Sequence, residues 1–100
     1  MKSKTAIQIE FQQVIRQAQT LENCADDLQE IRRQIDGLIE NLGSGWVGES
    51  ANQYFLKCKE LSSKMNVSRM NLDNMAAVIR KSAHIYRDAE LRAIELVENM

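Results

Sequence analysis

The chain contains no proline, and three of its four glycines lie within the six residues 43–48. Long stretches without proline favour uninterrupted helices, and a cluster of glycines marks a place where the backbone turns. The pattern therefore predicts two long helices, over about residues 5–42 and 49–97, joined by a turn at 43–48. One hundred residues are enough for one domain, so we expect residues 1–100 to form a single all-α, antiparallel two-helix hairpin.

Apolar residues in the first half recur at alternating steps of four and three, the spacing of a helix face that packs on another helix. They are Ile7, Phe11, Val14, Ala18, Leu21, Ala25 and Leu28. The same steps next reach Arg32. A shift by one residue restores the pattern at Ile31, Ile35, Leu38 and Leu42. The sequence thus predicts a discontinuity in this seam, and Thr5 with Gln8 predicts a capping box at the helix start.

The second half carries a nearly unbroken stripe at the same spacing. It runs through Ala51, Tyr54, Cys58, Leu61, Met65, Ser68, Leu72, Met75, Ile79, Ser82, Tyr86, Ala89, Ala93 and Leu96. If the turn is centred at residue 45, positions equally far from it on the two helices lie opposite each other. The start of helix one, near residue 5, then lies opposite residue 85, so we expect residues 86–100 to project beyond it. A lone hairpin leaves apolar residues uncovered, which favours a four-helix bundle of two hairpins. The side chains expected to pack in this dimer are Phe11, Val14, Leu21, Leu28, Leu61, Met65, Leu72 and Ile79.

Several classes of function lack their sequence signals. The net charge of −1 provides no basic patch for nucleic acid, and no stretch approaches the apolar length of a membrane span. The first ten residues lack the apolar run of a cleavable signal peptide. With His84 as the only histidine, a histidine-based metal cluster is excluded, and we expect no metal, no cofactor and no enzyme active site.

The two cysteines, Cys24 and Cys58, are not expected to form a disulfide. Their positions relative to residue 45 differ by about 12 Å along the helix axes, whereas a bridge needs Cα atoms within about 7 Å. We therefore interpret both as small core residues.

Trp46-Val47-Gly48 lies in the predicted turn of a hundred-residue helical hairpin. The chain in this respect resembles the small Trp-x-Gly family of type VII secretion, which includes the early secreted antigens, over essentially its whole length. Tyr86 and Glu90 match the Tyr-x-x-x-Asp/Glu motif that members carry on helix two, and their spacing puts them on one helix face. The resemblance implies a composite secretion signal, with Trp46 and Gly48 from one chain and Tyr86 and Glu90 from its dimer partner. Residues 91–100 still have a helical pattern, whereas some relatives have a disordered tail.

The resemblance implies a substrate or export partner of a type VII secretion system. Such a protein is made in the cytoplasm, is exported without a cleavable signal peptide and is secreted or held at the cell surface. Its partners would be a second copy or a paired small helical hairpin, and the secretion ATPase. Roles in virulence or interbacterial competition belong to the same expectation.

Two alternatives stay open at this point. The chain could be a dedicated adaptor for the helical N-terminal domain of a larger secreted toxin. It could also be a cytoplasmic coiled-coil scaffold subunit, in which Trp46 only anchors the turn and Tyr86 and Glu90 only pack. Membrane activity is disfavoured, because neither helix has the basic polar face of a surface-binding helix.

Overall fold

The computed structural model describes residues 2–100, which form two helices and no strand. Helix α1 spans Lys4–Gly43 and helix α2 spans Glu49–Glu98. The connection is residues 44–48. The predicted fold class, an all-α helical hairpin, is confirmed, while its pairing into a four-helix bundle stays a prediction. Neither helix has a stretch long and apolar enough to cross a membrane in the part of the chain that is described.

The hairpin consists of two compact units, and both helices contribute to each. The terminal unit joins the residues up to Glu22 with Asp73–Met100, and the turn unit is Asn23–Leu72. In each unit a stretch of α1 packs beside a stretch of α2. The expectation of a single domain over residues 1–100 stays a prediction.

The cap of α1 is Ser3. Its Oγ accepts a hydrogen bond from the backbone N–H of Ala6 at 3.1 Å, which satisfies one of the N–H groups that a helix start leaves unpaired. The capping box predicted from Thr5 and Gln8 is therefore wrong, because helix α1 already begins at Lys4 and a serine stands immediately before it.

The seam of α1 continues through Arg32 without the predicted shift. Arg32 is half-buried, as are Ile35 and Ile39 beyond it, whereas Ile31 and Leu38 are exposed. The guanidinium of Arg32 donates hydrogen bonds to the Ser62 carbonyl oxygen at 3.0 Å, and to Gln29 Oε1 and Asn66 Oδ1 at 2.9 Å each. A charged group tolerates partial burial when polar partners receive its donors, so the seam keeps one register.

Only part of the predicted stripe of α2 faces α1. Those that are buried or half-buried are Ala51, Cys58, Met65, Leu72 and Ile79. The other members, including every one after Ile79, are exposed: Tyr54, Leu61, Ser68, Met75, Ser82, Tyr86, Ala89, Ala93 and Leu96. Their places in the seam are taken by residues such as Ser62, Ala76, Ala83 and Ile94. The predicted stripe was therefore two neighbouring faces of one helix.

The innermost positions of the hairpin are occupied by small side chains. Ala18, Ala25, Ala51 and Ala76 are at most 1% exposed, and no larger side chain is fully buried. Small residues allow two helix backbones to approach closely, and bulkier neighbours then fill the flanks. The larger apolar residues consequently remain partly open to other contacts.

The predicted overhang of residues 86–100 is wrong. Lys4 Nζ lies 3.3 Å from Glu98 Oε2, and Ile94 is buried, so the end of α2 lies beside the start of α1. Reflection about residue 45 centred the turn too early, because the connection continues to Gly48 and α2 begins only at Glu49.

In addition to the Lys4–Glu98 pair, a bidentate ion pair joins the two helices in the terminal unit. Arg80 Nη2 donates to Glu22 Oε1 at 2.5 Å, and Arg80 Nε donates to Glu22 Oε2 at 3.1 Å. This hydrogen-bonded guanidinium lowers the pKa of the Glu22 carboxyl from its usual value. The fork-shaped, bidentate geometry fixes the two side chains relative to each other.

Candidate functional site

Trp46 lies in the connection and packs on two rings at the start of α2. Its ring centroid is 5.3 Å from that of Tyr54 and 5.7 Å from that of Phe55. The backbone N–H of Trp46 donates to the Leu42 carbonyl oxygen at 2.8 Å, which closes the end of α1. Although it is anchored in this way, 42% of Trp46 remains exposed. The indole is therefore both a structural anchor and an accessible aromatic surface.

Gly48 is required by its backbone conformation. Its φ angle is 121°, in a region that residues with a Cβ rarely adopt. No atom lies within 4 Å of the place where a Cβ would be, so the requirement is not one of space. The Gly48 carbonyl oxygen accepts a hydrogen bond from Asn52 N–H at 3.0 Å and thereby starts α2. The Trp-x-Gly tripeptide thus joins an aromatic anchor to the residue that redirects the chain.

Tyr86 and Glu90 lie one helical turn apart on α2, as their spacing predicted. Tyr86 is 61% exposed, whereas the Glu90 side chain is only 23% exposed. Lys2 is near both of them: its Nζ is 3.6 Å from Glu90 Oε1 and 5.9 Å from the centroid of the Tyr86 ring. An exposed ring and a carboxylate therefore stand side by side, with one cation next to both.

The pair lines one wall of an open apolar groove in the terminal unit. The groove has a volume of about 410 Å³, and its walls include Ile7, Glu10, Phe11 and Val14 of α1 and Val78, Ser82, Tyr86 and Glu90 of α2. Arg87 lies over the Phe11 ring at 4.2 Å, and His84 meets the same ring at 4.9 Å. The groove suits an apolar side chain from another molecule, with charged groups at its rim.

The eight residues predicted to pack in a dimer divide into two groups. Seven are half-buried between the helices of their own chain: Phe11, Val14, Leu21, Leu28, Met65, Leu72 and Ile79. Leu61 alone among the eight is exposed, by 51%. Whether any of the eight also contacts a partner chain stays a prediction.

Sequence reasoning missed three contributors to these sites. Tyr54 and Phe55 support Trp46, and an aromatic pair two turns after a turn tryptophan was a usable signal. Lys2 carries no sequence signal of its own, since nothing in the sequence indicates that a residue 88 positions from Glu90 lies against it.

The cysteines and the histidine form no common site. Cys24 is exposed, which corrects its interpretation as a core residue, while Cys58 is half-buried; both are free thiols. His84 is exposed beside Phe11. Within residues 2–100, no three His, Cys, Asp or Glu side chains are grouped so as to hold a metal ion.

Comparison with known proteins identifies the family of this chain. No curated protein and no solved structure is significantly similar to the chain. The family model for WXG100, described as proteins of 100 residues with WXG, matches residues 6–91. This family consists of small helical proteins associated with secretion and is not an enzyme family, and its members typically pair with partners. Since the match covers most of the sequence, the chain belongs to the WXG100 family, which is associated with the substrates of type VII secretion.

Proposed function

We propose that this protein is a type VII secretion substrate or export partner that pairs by helix packing and presents a composite secretion signal. The observation that carries the proposal is the exposed Tyr86 ring next to the Glu90 carboxylate on one face of α2. A large aromatic side chain left open beside a charge is a typical recognition feature. Recognition by a secretion ATPase gives this pair a role that packing inside the hairpin does not.

Pairing is supported by the apolar side chains that the hairpin leaves exposed. On α2 these include Leu61, Met75, Val78, Ile85 and Leu96, each more than half exposed. Exposed apolar side chains mark a protein interface when a partner covers them, and a second hairpin packed on α2 would do so. We propose a four-helix bundle with a second copy or with a paired small helical hairpin.

The signal is composite in this proposal. One chain supplies Trp46, which is partly exposed, and Gly48, which sets the direction of the turn. The other chain supplies Tyr86 and Glu90. Because the two halves come from different chains, the ATPase would recognise the assembled pair and not a lone protomer. Export would therefore depend on pairing as well as on the signal residues.

Export assays on paired variants test the signal. Tyr86→Ala should abolish export, while Lys81→Ala should export like the wild type, because Lys81 is exposed on the same helix and belongs neither to the signal pair nor to the apolar side chains proposed for pairing. The assay measures the protein in the culture medium against a cytoplasmic marker for lysis, with helical content checked by circular dichroism. Normal export of Tyr86→Ala, or equal loss with Lys81→Ala, would refute the signal role of Tyr86.

Molar mass by light scattering over a concentration series tests the pairing. A mass near twice the 11.5 kDa of one chain is expected for a homodimeric bundle. A monomer at every concentration would refute self-pairing. The partner would then be a different helical hairpin, or the helical domain of a larger toxin for which this chain is the adaptor.

A further inference from the structure

Lys2 contacts both members of the proposed signal pair from the opposite end of the chain. Its Nζ donates a hydrogen bond to Glu10 Oε2 at 2.7 Å. The same ammonium lies 3.6 Å from Glu90 Oε1 and 5.9 Å from the Tyr86 ring centroid. The hydrogen bond to Glu10, followed by the nearby negative charges, raises the pKa of Lys2, so the ammonium is charged. One cation thus neutralises Glu90 and partly covers Tyr86.

We propose that Lys2 is a displaceable cover on the Tyr86–Glu90 pair, which a receptor must remove before it binds. This inference rests on the proposed function of that pair. The ammonium occupies the position from which a receptor would contact the ring and the carboxylate together. Its displacement is therefore part of the binding reaction and lowers the receptor's affinity.

The three contacts of Lys2 differ in strength, and this makes the cover displaceable. Glu10 is at hydrogen-bond distance and anchors the ammonium. Glu90 at 3.6 Å is beyond that distance, and the Tyr86 ring is near the limit of about 6 Å for a cation–π contact. Exposed ion pairs are weak and are screened by salt. The cover should consequently tune receptor affinity without preventing binding.

The contacts that Lys2 makes also specify the chemistry of the receptor. A receptor that displaces an ammonium from Glu90 must return a positive charge to this half-buried carboxylate, since its side chain is only 23% exposed and an unpaired charge there is unfavourable. The open apolar groove next to Tyr86 calls for an apolar group. The receptor surface should therefore carry an arginine or lysine beside an apolar side chain.

Lys4 provides a matched control. It is also a lysine at the start of the chain, and its Nζ also reaches α2, where it lies 3.3 Å from Glu98 Oε2. No contact joins it to Tyr86 or Glu90. A substitution that removes its charge therefore changes the net charge equally and also removes one ion pair to α2.

Binding to the purified soluble domains of the cognate secretion ATPase tests the proposal. Lys2→Gln should tighten binding by about two- to five-fold, the range expected for an exposed ion pair, and Lys4→Gln should leave it unchanged. Unchanged or weaker binding of Lys2→Gln would overturn the cover. Tyr86→Ala in the same titration tests the proposed function separately, because undiminished binding of that variant would remove the signal role whatever Lys2 does.

Nuclear Overhauser contacts provide a second readout that does not depend on affinity. In the free protein, contacts are expected between the ε-methylene protons of Lys2 and the ring protons of Tyr86. They should vanish in the complex with the ATPase domains, while the helical contacts of α2 persist. Lysine–tyrosine contacts that survive in the complex would show that the receptor binds without displacing Lys2 and would refute the proposal.

Discussion

Ala76 offers a sharp test of the inference that close helix approach builds this hairpin. Its side chain is fully buried, and Ala76→Leu would insert an isopropyl group where no space is left. Overpacking of this kind typically costs about 1–3 kcal/mol. A loss of about 2 kcal/mol lowers the melting temperature of a domain of this size by about 8–16 °C.

Ala77 is the matched control for this substitution. It is the same residue type at the next position of α2, but it is exposed, and leucine and alanine differ little in helix propensity. Thermal and urea unfolding would be followed by circular dichroism at one protein concentration, because pairing makes stability depend on concentration. Equal stability of Ala76→Leu and Ala77→Leu would refute the inference that the alanine seam sets the distance between the helices.

Two further substitutions test the turn and the polar position in the seam. Gly48→Ala should destabilise the protein by about 1–3 kcal/mol in urea unfolding, because a residue with a Cβ is strained at this φ angle. Gly45→Ala should not, since Gly45 lacks a positive φ, and an equal loss in both variants would refute the role of φ. Arg32→Met should change stability by less than about 1 kcal/mol, because Asn66 Oδ1 still accepts from Arg69 and Ser62 Oγ still donates to Asp36. A loss above about 3 kcal/mol would instead mean that the Arg32 hydrogen bonds hold the seam.

The helices and the turn could be predicted because their signals are local. The absence of proline and the glycines around Trp46 define where the backbone continues and where it turns. The faces of α2 could not be predicted in the same way. At two neighbouring pairs the sequence reasoning chose the larger apolar residue for the seam, Leu61 over Ser62 and Met75 over Ala76. The structure buries the smaller member in both, because close approach of two helices selects for size before hydrophobicity.

The predicted shift of the α1 seam at Arg32 was wrong for a related reason. Sequence patterns assign arginine to the surface, since an isolated charge is costly to bury. Its partners, Ser62 and Asn66, lie 30 and 34 positions away along the chain, so their help is invisible until the helices are paired. The same holds for Lys2 and Glu90. Contacts between the two helices thus determine which polar residues are buried, whereas the residue spacing within one helix indicates only where its apolar faces lie.

The burial of small residues has a consequence for the proposed function. Because alanines and Ser62 fill the seam, the bulkier Leu61, Met75 and Tyr86 are left for contacts outside the hairpin. A partner that covers the exposed apolar side chains of α2 would also limit access to Tyr86, unless the hydroxyl end of Tyr86 stays at the edge of that interface. The charged neighbours Glu90 and Lys2 favour the rim, since a fully desolvated ion pair next to an apolar interface would be unfavourable. Pairing and receptor recognition can therefore use one helix without competing for the same side chains.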